Sequence, residues 1–489
     1  MTDQDTLLKR WQYFIAQFVV FPAISWDYTV PSPGAITWQP FCLISPRYAH
    51  TSIGGTVTLY ATDSYTRPTT AVSSYAWAKV SGAGSIVDNL DGTCTVTAGD
   101  GVTKVSCTVT DAASETAVGY AFVHGGSSGN FTAIVSEVSQ FSGDLDTGEF
   151  KADVTLRGAY SGLVSNDGRD HVILMHVTHY WDGVADTFGG YKRDNNTFVL
   201  MCRDSEIYEE AESYYTVLHL EAPSYILKQT GGGTGEMKFK SGGAVAGYYT
   251  TADLTPNDAA YYVLRETMNY HEYFNVSLWN NTMTIDNFNI RADTSIWDAC
   301  RDSHGWNFGI LYMNRWGNLN GKPDPRVRYD EWEAIAGSVG DYTEAHLMAY
   351  DIQRLRTDRI GGAKIQAILP DMTIVDTSVS APGTYYTANY GQDIRMTGLL
   401  ADSAATLSYW MEQHLYYLNT EYQGTFKMAM GHELNPGDVF DMGDITPTIA
   451  DTITGSKWFV LGVSYRFDFE QGTWLRDLKV TTIAKAPLE

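Results

Sequence analysis

Between Gly55 and His124 the chain breaks into five short runs in which apolar and polar residues alternate: Gly55–Asp63, Ser73–Gly82, Asp91–Gly99, Thr103–Asp111 and Thr116–His124. A period of two sends successive side chains to opposite faces, so each run suits a strand buried on one side and wet on the other. Turn residues separate the runs. Residues 36–126 therefore read as a β-sandwich.

The alternation returns beyond Gly125–Asn130, a Gly/Ser stretch that reads as a flexible linker. Phe150, Ala152, Val154 and Leu156 mark the inward face of one strand, and His171–Gly183 and Asn196–Asp204 continue the sheet. Further on, Tyr350–Leu369 reads as two strands around Gly361-Gly362, with Thr373–Ser378 as a third. Leu434–Val439 reads as a tight turn feeding a strand. A final hairpin joins Lys457–Asp468 to Thr473–Ile483. On its first strand Phe459, Leu461, Val463, Tyr465 and Phe467 share one face, and Trp458, Val460, Gly462, Ser464 and Arg466 the other. Composition agrees: 13% aromatic residues and 45 glycines favour sheets with many turns, and 489 residues exceed what one core serves.

Helices punctuate the sheets. Thr255-Pro256-Asn257-Asp258 carries a cap, a first-position proline and a capping-box acid, and Ala260, Leu264, Met268 and His271 share a stripe. A second helix is predicted from an Asp402 cap, with Ala404, Leu407, Ser408, Met411, Leu415 and Leu418 inward. Between them lies Thr294–Gly321. It opens as a helix capped at Asp293 or Thr294, with Ile296, Ala299 and Cys300 on one face and Gly305 at its end. A strand from Trp306 to Met313 follows, then a turn at Asn314–Gly317 and a partner strand at Asn318 and Leu319.

Nothing in these patterns is catalytic. His271-Glu272 and His432-Glu433 lack the second histidine of a zinc-protease motif, and no nucleophile elbow or phosphate loop occurs; Gly231–Gly235 has no following Lys-Ser/Thr. His176 and His179 point to opposite faces of a strand, so with His171 they make no metal set. The acidic group Asp204, Glu206, Glu209, Glu210 and Glu212 reads as a solvated loop or subunit rim. No catalytic, cofactor or metal residue is assigned. Five cysteines, Cys42, Cys94, Cys107, Cys202 and Cys300, form no framework; Cys94 and Cys107 read as buried thiols, with pairing across adjacent strands as the alternative. The apolar stretch Trp11–Trp26 is broken by Pro22 and preceded by Asp3 and Asp5, so it reads as an arm packing on a neighbour rather than a leader or a span. The net charge of -24 argues against gripping nucleic acid.

The order of these pieces carries a resemblance. A β-unit, a capped helix, Ile296–Leu319, a Gly-Gly hairpin, Ala401–Asn419, and the closing Gly431–Met442, Trp458–Asp468 and Thr473–Val480 runs are similar over residues 131–489 to baseplate or tail-tip hub proteins of bacteriophages and contractile injection machines. The Tyr75-x-Trp77 and Ser106–Asp111 runs resemble bacterial Ig-like, PKD-type modules, an addition to that pattern. The resemblance implies a mainly β fold with some α: an Ig-like β-sandwich and two tail-tube-like β-barrel domains joined by helix-and-hairpin segments. The implied division is an arm at 1–35, the sandwich at 36–126, a first barrel at 131–250, the connecting unit at 251–349, and a second barrel at 350–489 with its helix at 402–418.

It further implies a non-enzymatic virion protein without cofactors. Copies would form a homo-oligomeric ring, a trimer, that continues the tail tube or distal tail protein and docks spike, fibre or other baseplate proteins. DNA would pass without specific binding along an acidic lining, with Lys and Arg kept to subunit contacts. The sandwich would offer an additional contact to host-surface glycan. The competing class is a secreted or surface glycan-binding adhesin.

Overall fold

The computed structural model describes residues 11–67, 71–127, 134–160, 170–182, 191–229, 236–279, 283–344, 347–354, 360–370, 373–380, 392–420, 422–428, 434–445, 453, 455–468 and 473–486. Strand accounts for 52% and helix for 15%, so the fold is mainly β with some α. The helices are α1 (Ser224–Gln229), α2 (Pro256–Glu266), α3 (Tyr270–Tyr273), α4 (Ile296–Gly305), α5 (Tyr329–Ile335) and α6 (Ala404–Thr420).

One large sheet runs through both halves of the chain. Its strands lie in the order Trp11–Ala23, His171–Asp182, Tyr191–Glu210, Ser213–Glu221, Glu149–Arg157, Val135–Asp144, Ser456–Asp468, Thr473–Ile483, Tyr422–Met428 and Ala349–Arg354. Val439–Met442 branches from Ser456–Asp468 and carries Asp341–Tyr342. The halves meet where Gly462, Val463 and Ser464 pair with Asp144, Gly143 and Ser142. The path keeps two ends, and no closed barrel forms among the described residues. The Trp11–Trp26 stretch supplies an edge strand paired antiparallel to His171–Asp182.

A bulge explains why period-two reading fails in the last hairpin. The register of Ser456–Asp468 against Thr473–Ile483 slips between Val460 and Gly462. Side chains therefore exchange faces across Leu461. Trp458 and Val460 join Val463 and Tyr465 in the main core, while Phe459 is buried in a separate cluster with Tyr329, Trp332 and Ile483.

Residues 48–125 form a two-sheet sandwich. Tyr48–Thr51, Thr116–Gly125, Gly101–Asp111 and Val72–Ser81 make one sheet; Thr56–Tyr60, Thr93–Thr97 and Ser85–Asp88 make the other. Every second residue of Gly101–Asp111 from Thr103 onward is buried, as the alternation requires. Its core holds Trp77, Cys94, Val96, Cys107 and Val109. Cys94 and Cys107 lie in different sheets and are free, like Cys42, Cys202 and Cys300.

The expected linker is only partly loop. Gly125 ends a strand, pairing with Gly101 and Thr51, and residues 128–130 lie outside the described residues. Nor is the sandwich merely tethered. Tyr48 stacks on Phe122 at 5.2 Å, Phe122 on Tyr273 of α3 at 6.3 Å, and Lys104 Nζ sits 3.7 Å above the Tyr120 ring. Tyr65 donates to the Val276 carbonyl at 2.7 Å, and Arg67 forms a doubly buried ion pair with Asp258 of α2. Protease cleavage within 128–133 is therefore expected to leave both fragments co-eluting on gel filtration. Separation of a free sandwich without denaturant is the outcome that would refute this docking.

Gly361-Gly362 does not turn a hairpin. Both glycines lie inside the strand Ile360–Ile368, which pairs antiparallel with Ile374–Ser380 and parallel with Gln392–Leu400. Ala349–Arg354 belongs instead to the large sheet, against Tyr422–Met428. The α6 helix covers the three-stranded sheet through Leu407, Trp410, Met411 and Leu415. Its cap is Ser403, whose Oγ accepts from Thr406 N at 3.1 Å, rather than Asp402.

Candidate functional site

The central helix and hairpin form the meeting point of the chain's sheets. Ser295 caps α4, accepting from Asp298 N at 3.0 Å, one residue beyond the expected cap. Ile296, Ala299 and Cys300 are buried as the helical spacing requires. The first hairpin strand is Gly309–Met313, shorter than expected, because Phe308 adopts φ of +58° and closes a turn after Trp306. It pairs antiparallel with Leu319–Pro323. His304, fully buried at the end of α4, lies against this hairpin. A Cβ on Gly321 would meet its Nε2 at 2.3 Å, so only glycine fits there. The His304 Nδ1 bonds the Cys300 carbonyl at 2.8 Å, Nε2 has no hydrogen-bond partner among the described residues, and burial lowers its pKa to about 4.

At the hairpin tip, Arg315 joins both halves of the molecule. Its carbonyl accepts from Val199 N at 2.7 Å, and its amide donates to Asn435 Oδ1 at 3.3 Å. Val199 belongs to the first half of the large sheet; Asn435 belongs to the Leu434–Val439 turn of the second. The guanidinium is 1% exposed and lies 4.4 Å from the Trp316 ring centroid and 5.8 Å from that of Phe198. The turn itself is braced by Asn435 N donating to Asp438 Oδ2 at 2.8 Å. Gly437, with φ of +92°, lets the Tyr312 ring approach to 3.2 Å of where a Cβ would stand.

Further basic groups follow. Lys322 is buried; desolvation lowers its pKa, against the pull of Asp438 and Asp324. Burial raises Asp438, with Lys322 opposing. Arg328 donates to the Asn307 carbonyl at 2.8 Å between the Trp279 and Trp410 rings, 4.2 and 4.1 Å away. On the sandwich side, Arg47 donates to Asn275 Oδ1, to the Tyr120 and Cys42 carbonyls and to those of His271 and Glu272 in α3. Arg47, Arg315, Lys322 and Arg328 are thus internal pins, so these four of the 33 basic residues depart from the expected placement at subunit contacts. For Arg47 and Arg315 the sequence carried one signal, a lone Arg within an otherwise uncharged turn or strand start; Lys322 and Arg328, in the charged run 322–331, carried none.

The solvent face of the large sheet carries both signs. Its first half shows Glu137, Asp153, Asp204 and Glu206, with His219 Nδ1 2.8 Å from Asp153 Oδ1. Its second half shows Lys427, Lys479 and Arg466, the last 2.8 Å from Asp477. The face thus carries basic residues among its acidic ones. Glu209, Glu210 and Glu212 sit exposed at the tip of the hairpin joining Tyr191–Glu210 to Ser213–Glu221.

His171 Nδ1 lies 2.7 Å from the Phe21 carbonyl and His176 Nδ1 2.8 Å from Thr197 Oγ1, while the His179 side chain lies outside the described residues. Among the described residues no three His, Cys, Asp or Glu side chains converge as metal ligands, and no helix is long and apolar enough to cross a membrane. Residues 231–235 and His432-Glu433 lie outside the described residues.

No protein-family model and no curated protein matches the chain. Among solved structures it is similar to the tail protein from Neisseria meningitidis MC58, at 12% identity over 69% of this chain and 90% of that one, with a TM-score of 0.46. It is also similar to the 43 kDa tail protein of prophage MuSo2 from Shewanella oneidensis, at 10% identity over 72% and 95%, TM-score 0.44. A chain of the virion of a native gene transfer agent particle is similar at 10% identity over 73% and 84%, TM-score 0.31.

Proposed function

We propose that this chain is a structural virion component, a tail-tip or baseplate hub whose copies close into a ring continuing the tail tube. The observation that carries the reading is the large sheet. It runs unbroken through both halves, and its main path ends in two edge strands, Trp11–Ala23 and Ala349–Arg354, each with one ladder partner among the described residues. An open edge presents a row of backbone donors and acceptors, and burying such an edge against another copy satisfies them. In this reading one copy's Trp11–Ala23 edge meets the Ala349–Arg354 edge of the next. That head-to-tail contact closes a ring when its rotation divides a full turn. The resemblance over residues 131–489 implies three copies.

In this reading the tail tube or distal tail protein docks on one rim and spike, fibre or baseplate proteins on the other. The role is assembly, not catalysis. DNA passes through the ring without specific binding; the net charge of -24 supports this, since acidic surface offers phosphates no counterion release. Light scattering and negative-stain imaging of the purified protein test the proposal. Rings of three copies are expected, or recruitment into rings by a tail-tube protein. A monomer at high concentration that enters no ring in the particle containing it would sink the reading.

A further inference from the structure

We infer that the groove between the sandwich and the central hairpin is a binding site for a neutral pyranose, the sugar unit of a cell-surface saccharide. The groove has a volume of about 330 Å³, room for one or two sugar rings. One wall is the Leu43–Tyr48 segment with Tyr60 and Asp63; the other is the hairpin, with Asn314, Trp316, Asn318 and Asn320.

Two large aromatic side chains that line it remain open to solvent, Tyr60 at 50% and Trp316 at 37% exposure. The indole is held in place. Asn314 Oδ1 accepts from both Trp316 N and Asn318 N at 3.0 Å, fixing the turn, and the buried Arg315 guanidinium lies 4.4 Å from the indole centroid. A platform already ordered loses little freedom on binding. The C–H face of a pyranose is apolar and matches such a ring, while its hydroxyls need donors and acceptors around the rim. The groove supplies both. Asn320 Nδ2 donates to the Asn318 carbonyl at 2.9 Å, which orients the Asn320 oxygen. The Asn318 amide, the Asp63 carboxylate and the Tyr60 hydroxyl add further donors and acceptors to the groove lining.

Other ligand classes fit less well. Arg47, the one cation among the described lining residues, is spent on internal carbonyls and Asn275, so among those residues phosphate or nucleic acid finds Asp63 and no free positive charge. One carboxylate with neutral amides is a poor set for a divalent cation. The inference does not rest on ring assembly, because both walls belong to one chain. Its test can fail or succeed independently of the oligomeric state.

Saturation-transfer NMR of the full chain with glucose, galactose, N-acetylglucosamine and N-acetylgalactosamine is the experiment. At least one is expected to bind with a millimolar Kd. Trp316→Ala, Tyr60→Ala and Asn318→Ala should each weaken it by about tenfold, the size of one aromatic or polar contact. Tyr60 and Asn318 are exposed or half-exposed, so these variants stay informative if Trp316→Ala disturbs Arg315 and folding. No binding by any of the four sugars overturns the inference. Binding that survives all three substitutions, or preference for glucuronate over every neutral sugar, overturns it equally.

Discussion

Arg47→Ala is expected to destabilise the protein by about 4 kcal/mol, more than a typical core truncation. The guanidinium is 5% exposed, and its donors go to Asn275 Oδ1 and to the carbonyls of Cys42, Tyr120, His271 and Glu272. Removing it strands several buried acceptors at once. Each orphan costs roughly 1–3 kcal/mol of unrecovered desolvation, and partial collapse or water entry recovers some of the sum. Asn275 retains its own bonds to Ile44 N and O, at 3.0 and 2.8 Å, so the contact loosens rather than vanishes. Arg47→Lys keeps the charge but loses the planar fork, and its cost is expected to be about half. Urea unfolding followed by circular dichroism measures both. A loss below about 1 kcal/mol for Arg47→Ala would show that its hydrogen bonds contribute little to holding the sandwich.

The second large effect is acid destabilisation through neutral histidines. Burial lowers the folded pKa of His271 to about 3 and of His304 and His414 to about 4, from 6.5. Above 6.5 neither the folded nor the unfolded form of these groups is protonated, and their contribution is fully present. As pH falls from 6.5 towards 4 the unfolded chain takes up protons that the folded chain refuses, so stability declines. For His304, fully buried with no hydrogen-bond partner at Nε2 among the described residues, the loss amounts to about 3 kcal/mol. Asp258 and Asp438 act in the opposite sense. Desolvation raises their pKa values, so the folded state gains protons before the unfolded state does and offsets part of the loss. Urea midpoints at pH 7.0, 5.5 and 4.5 are expected to fall steadily, and the fall should be shallower in His304→Asn. Equal midpoints at pH 7.0 and 4.5 would contradict this account.

Much of the local structure was legible in the chain itself. Thr255-Pro256-Asn257-Asp258 starts α2 with the full capping box, Asp258 N bonding Thr255 Oγ1 at 3.3 Å and Thr255 N bonding Asp258 Oδ2 at 2.7 Å. Ile296, Ala299 and Cys300 are buried from α4, and Phe150, Ala152, Val154 and Leu156 from their strand. These are short-range effects: a cap needs groups three residues apart, and a buried face needs only periodicity. Failures cluster where two nearby residues compete for one role. Ser295 replaced Asp293 and Thr294 as the cap, and Ser403 replaced Asp402, since adjacent cap-formers differ only in how the preceding chain enters the helix.

What tertiary structure alone decided lies farther apart. The slip at Leu461 is set by the partner strand and by Asp144 and Gly143 beyond it, and no period-two count can place one extra residue. Gly361-Gly362 carries every mark of a turn, yet it runs inside a strand because Gln392–Leu400 pairs parallel with it from thirty or so residues away. The buried pins are the deepest case. Arg47 meets carbonyls more than two hundred positions distant, and Arg315 joins Val199 to Asn435. An arginine's propensity says that it belongs in water; only the convergence of several distant acceptors on one guanidinium outweighs its desolvation. Sequence alone thus determined the capped helices and the alternating strands. Folding in three dimensions determined which strands share a sheet, and which charges hold the sheets together.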